Sequence, residues 1–119
     1  MIKHLVSAGA VSAILALAAP IHAKDRTGYQ AIAAGDLAAA ERILVAERRI
    51  FPSRPELLLN LAAIYGRTGR TAEASTLYAR VLKLPATMLD LPSGREASSH
   101  ALATVALAAV QRNLAVASR

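Results

Sequence analysis

The chain has 119 residues, and 14 Lys and Arg against 8 Asp and Glu give it a net charge of +6, spread along its length. Cysteine is absent, which excludes disulfides, thiolate zinc sites, cysteine nucleophiles and a lipid-attachment cysteine. Aromatic residues make up only 3% while alanine and leucine dominate, a composition that favours helices packed closely on small side chains.

Residues 1–23 read as a cleavable signal peptide. Met1-Ile2-Lys3-His4 is a short basic start and Leu5 to Ala19 is apolar. Pro20-Ile21-His22-Ala23 then breaks the helix and ends on a small residue before the polar Lys24-Asp25-Arg26. These are the three zones of a secretory signal. The apolar run is shorter than the roughly twenty residues that cross a bilayer. Cleavage is therefore expected after Ala23, with retention as a membrane anchor the alternative. The rest of the chain is expected to be periplasmic or secreted.

Gly35-Asp36 is expected to end one helix and cap the next, whose apolar stripe is Leu37, Ala40, Ile43 and Leu44. Ser53-Arg54-Pro55-Glu56 has the Ser-x-x-Glu form of a capping box, with proline in the first turn. Leu57, Leu58, Leu61, Ala62 and Tyr65 line one face of the helix it opens. Gly66 and Gly69 are expected to end that helix, because glycine readily takes the left-handed cap conformation. Ala74, Leu77, Tyr78, Val81 and Leu82 recur at i, i+3, i+4, i+7 and i+8, the stripe of another amphipathic helix. Ala74 is small where the two helices are expected to approach most closely.

The offset that takes Gly35 to Gly69 also takes Ala40 to Ala74 and Leu44 to Tyr78. Both segments close on proline, at Pro52 and Pro85. A period of about 34 residues, with small residues in the turn and in the second helix, is that of a helical-hairpin repeat. Through Leu58, Leu61, Ala62, Tyr65, Gly69, Ala74, Tyr78 and Pro85, residues 24–86 resemble the tetratricopeptide repeat family. Leucine stands in place of the usual tryptophan, and Ala31 replaces an aromatic in the first unit. The resemblance implies an all-α fragment of a right-handed solenoid with two hairpins, 24–52 and 53–86.

After Pro85 the repeat is lost, and residues 87–95 read as an irregular connection. Ser93-Gly94-Arg95-Glu96 offers a second capping box, opening a C-terminal helix within 96–119. Its apolar residues Leu102, Val105, Leu107, Ala109, Val110 and Leu114 form a broad face. Two repeats alone bury little core, so this helix is expected to act as a cap.

No residue pattern points to catalysis, a metal or a cofactor, and the chain is not expected to be an enzyme. His100 stands beside Ser98 and Ser99, but neighbours on a helix point in different directions and cannot form a nucleophile–base pair. Asp36, Glu56 and Glu96 read as caps. Gly66-Arg67-Thr68-Gly69-Arg70 lacks the lysine and the preceding strand of a phosphate-binding loop.

The family resemblance implies binding on a concave face lined by the first helix of each pair. The corresponding positions here are Tyr29 and Ala33 in the first unit, and Leu59, Asn60, Ala63 and Arg67 in the second. Asn60 interrupts an apolar run, and its amide offers both a donor and an acceptor to an extended peptide. Arg48, Arg49 and Arg54 form one modest basic group, and Arg67 and Arg70 another. Such arginines suit acidic partners, anionic lipid headgroups or nucleic acid, or else simply helix C-termini. With no aromatics interleaved for base stacking, nucleic acid is not an expected partner. The expected function is a non-catalytic protein–protein interaction module of the bacterial cell envelope, holding a partner segment in the repeat groove. The alternatives are a subunit that self-associates through its repeat ends, and a weak polyanion binder acting through its arginines.

Overall fold

A computed structural model describes residues 28–117; the expected signal peptide, its cleavage site and the start of the first repeat lie outside them. In chain order the elements are α1 (Tyr29–Ala33), α2 (Leu37–Ile50), α3 (Pro55–Arg67), α4 (Thr71–Lys83), β1 (Met88–Asp90), β2 (Glu96–Ser98) and α5 (Ser99–Ala117). Helix α3 packs against α2 on one side and α4 on the other, and α5 lies along α4 and touches α3.

Both interhelical elbows are built alike. Gly35 and Gly69 hold φ of 80° and 82°, a left-handed conformation that costs an L side chain about 1–2 kcal/mol. Beyond each glycine the chain turns back on the helix it has left. Asp36 N donates to Ala31 O at 2.9 Å and Arg70 N donates to Tyr65 O at 2.8 Å. This is the six-to-one hydrogen bond of a Schellman cap, repeated one period later. Asp36 also caps α2, accepting from Ala39 N at 3.0 Å through Oδ1.

Three expectations are corrected. Ser53 does not cap α3. Arg54 is the N-cap, with extended backbone at ψ 112°, and Pro55 is the first helical residue. A residue preceding proline is pushed out of the helical region, so the helix cannot begin at Arg54. Gly66 does not end α3 either, since the helix continues to Arg67. Lastly, Ser93-Gly94-Arg95-Glu96 opens no helix, and the fold is not purely helical. Strands β1 and β2 pair antiparallel, with Leu89 opposite Ala97, and Leu91 N donates to Arg95 O at 2.7 Å across the turn. Helix α5 starts at Ser99 rather than at Glu96, and its cap is Ser98, whose Oγ accepts from His100 N at 3.2 Å.

The core also differs from the sequence pattern. Ala40 and Leu44 of α2 and Ala74, Leu77, Tyr78 and Val81 of α4 are buried as the stripes require. In α3, however, all residues from Leu57 to Tyr65 are buried. A helix apolar all round is an interior helix, and α3 is the central rod of the fold. In α5 the packed stripe is narrow, made of Ser99, Leu102, Ala103, Ala106, Leu107 and Val110. Val105, expected on a broad packed face, is 72% exposed.

Candidate interaction surfaces

The six groove positions separate into two sets. Leu59, Asn60 and Ala63 lie on the central turns of α3 and are buried, Asn60 completely. The amide expected to grip a peptide is therefore part of the interior. Ala33 at the end of α1 and Arg67 at the end of α3 are exposed, and Tyr29 is half-buried. Ala33 and Arg67 are equivalent in the repeat register, each closing the first helix of its hairpin.

Around the second elbow, side chains tie one hairpin to the other. Arg70 occupies the N-cap position of α4, which Asp36 occupies for α2, but a guanidinium cannot accept a hydrogen bond from the helix N-terminus. It reaches across to α2 instead. Arg70 Nη1 donates to Glu41 Oε2 at 2.8 Å, Nη2 donates to Glu41 Oε1, and Nη2 also donates to Thr68 Oγ1 at 3.0 Å. The guanidinium carbon lies 4.4 Å from the centre of the Tyr65 ring, within range of a cation–π contact. Hydrogen bonding from Arg70 holds the Glu41 carboxyl below its usual range, outweighing desolvation. Burial, with the Glu41 and Glu73 charges adding to it, raises the Tyr65 phenol. Of the second basic group, then, Arg70 is committed to a bidentate internal pair, and Arg67 remains on the surface.

The first basic group proves larger than its stretch of sequence. The last turn of α2 carries Arg48 and Arg49, both exposed, followed by Ile50 at 64% exposure. Arg54 sits over the Phe51 ring, 3.7 Å from its centre, and pairs with Glu56 at 3.4 Å. Burial raises the Glu56 carboxyl, against the pull of Arg54. From α4, Arg80 Nη2 donates to Ser53 Oγ at 3.3 Å, which brings Arg80 to the same end as the α2–α3 loop. Lys83 follows one turn later and is exposed. The sequence reading missed Arg80 and Lys83. The signal was available, because Lys83 stands one repeat period after Arg49 and so repeats its charge in the second unit.

Ser98, Ser99 and His100 serve structure. Ser99 is fully buried, and its Oγ accepts from Thr87 N at 3.0 Å. His100 Nε2 donates to Leu84 O at 2.6 Å, fastening the start of α5 to the end of α4. Among the described residues there is no cluster of three or more His, Asp or Glu suited to a metal ion, and no helix long and apolar enough to cross a membrane.

The family model described as tetratricopeptide repeat matches residues 31–86, the region of both elbows and of α2, α3 and α4. No curated protein and no solved structure matches the chain. Tetratricopeptide repeats generally mediate protein–protein interaction and are typically non-catalytic. The like-built elbows at Gly35 and Gly69 and the family match over the same residues make residues 31–86 a tetratricopeptide repeat region.

Proposed function

We propose that the protein is an exported, non-catalytic interaction module of the bacterial cell envelope, which receives a segment of a partner protein along the ends of its first helices. One observation carries this reading. Of the positions that the repeat register assigns to the groove, Tyr29, Ala33 and Arg67 keep accessible surface while the middle of α3 is buried. A partner segment would meet an aromatic ring, a small residue that permits close approach, and a cation able to bind a carboxylate or a backbone carbonyl. The basic start, apolar run and small residue at Ala23 support export.

A photo-crosslinking residue at Tyr29 or Arg67, introduced in the native host, tests the surface. A discrete adduct from both positions, absent with the same residue at exposed Arg95, is the expected result. Equal adducts from Arg95 would reject it.

A second reading, self-association, rests on Val105. It stands 72% exposed on α5, in a stretch with no charged residue between Glu96 and Arg112. Terminal units of repeat proteins ordinarily turn a polar face outward. Light scattering separates the two readings: a mass that stays monomeric at micromolar concentration excludes self-association, and a dimer abolished by Val105→Glu supports it.

A further inference from the structure

The fold gathers at one end a set of cations that neither the repeat architecture nor the groove reading uses. Arg48 and Arg49 come from α2, and Arg80 and Lys83 from α4, with all four side chains exposed. The Arg80–Ser53 contact ties the end of α4 to the α2–α3 loop, which begins where α2 ends. The carboxylates at this end are Glu56, which is paired with Arg54, and the half-buried Glu47. Positive charge at helix C-termini is expected from the helix dipole alone. That accounts for the arginines but not for Ile50, a large apolar side chain left 64% exposed directly beside them.

We propose that this end of the molecule, with Ile50 among Arg48, Arg49, Arg80 and Lys83, docks on an anionic lipid bilayer. A lipid surface rewards both features together. Phosphates at the interface attract each cation, and the boundary just beneath them accepts an apolar side chain. It also suits cations that point from two separate helices, because phosphates are spread across a plane rather than fixed along one line. An acidic polypeptide would match the charges but would give Ile50 no apolar layer to enter.

The chain has no tryptophan, so Ile50→Trp places a single reporter at the centre of the surface. The exported chain carrying it, without residues 1–23, is titrated with vesicles of phosphatidylcholine plus phosphatidylglycerol, and separately with phosphatidylcholine alone. With the anionic vesicles, emission should shift to the blue and be quenched by lipids brominated on their acyl chains. It should stay unchanged with phosphatidylcholine. Each cation near the surface contributes about fivefold in affinity, so Arg48→Gln with Arg49→Gln should weaken the titration about 25-fold. Salt at about 0.5 M should suppress it. A tryptophan at Val105, on the outer side of α5, should remain unquenched. Co-sedimentation of the Arg48→Gln, Arg49→Gln double variant with Ile50 intact repeats the test without the reporter.

The proposal would be overturned by emission from position 50 unmoved by anionic vesicles, by an equal response to phosphatidylcholine, or by an equal shift with poly-glutamate. The last would assign the surface to an acidic polypeptide. Binding to vesicles without quenching at position 50 would likewise place the lipid contact elsewhere.

Discussion

Gly66 and Gly69 stand close together at the same elbow, and the same substitution should act on them with opposite sign. Gly66 lies inside α3, where glycine is about 1 kcal/mol less favourable than alanine. A Cβ built there meets only Ala74 Cβ, at 4.0 Å, an ordinary van der Waals distance. Gly66→Ala should therefore stabilise by about 0.5–1 kcal/mol. Gly69 holds φ +82° with nothing within 4 Å of a built Cβ. Space is no obstacle there, and the whole cost is the left-handed backbone, about 1–2 kcal/mol. With a urea m-value of about 1–2 kcal/mol/M for a domain of this size, the unfolding midpoint should rise by roughly half a molar for Gly66→Ala. It should fall by about 1 M for Gly69→Ala. Urea denaturation followed by far-ultraviolet circular dichroism reads both. Shifts in the same direction would refute the reasoning. A destabilised Gly66→Ala would mean that α3 and α4 approach more tightly at Ala74 than the 4.0 Å contact indicates.

Glu41→Gln should destabilise at neutral pH by breaking the Arg70 contact, and the gap from the parent should close in acid. Because Arg70 holds the folded-state pKa of Glu41 below 4.5, its contribution is present above that pH and is lost as pH falls through the folded value. Urea midpoints at neutral and acidic pH measure this. The Tyr78 phenol is pushed up to about 12 by burial, so in an ultraviolet absorbance titration of the folded protein its ionisation should appear only near that pH. Its raised value stabilises the fold up to the unfolded pKa of about 10, and that contribution disappears as pH climbs through about 12. Deleting residues 99–119 removes the stripe of Ala103 and Val110 from the core and should abolish the cooperative thermal transition; a truncated chain melting at the parent temperature would show that α5 is no cap.

The hairpins were legible because their signals are local and repeated. A glycine at each elbow, a small residue at 40 and 74, and stripes of helical period each have a single physical reading. The β-hairpin was not legible. A strand as short as Met88-Leu89-Asp90 contains only one buried side chain, Leu89, too few to display alternation. Ser93 and Glu96 meanwhile have the spacing of a cap without a helix between them. The groove was misjudged at Asn60 because burial on α3 is decided by the helices around it. An asparagine inside an apolar run reads the same from sequence whether its neighbours cover it or leave a cleft. Arg54 shows the limit of the capping rule, since the proline that marks the helix start also excludes the residue before it from the helix.

The burial of α3 on every side has a consequence for how the molecule comes apart. Stacked repeats can fray from an end, one unit at a time, when each unit leans on a single neighbour. Here the central helix draws cover from α2, α4 and α5 together, so losing either end uncovers the middle. The amides of Leu57 to Tyr65 should then exchange with solvent only when the described fold opens as a whole, with one shared free energy of opening. Unlike an array that can be lengthened or trimmed unit by unit, the described residues should unfold as a single cooperative block, with no boundary among them at which a repeat could be removed and the remainder stay folded.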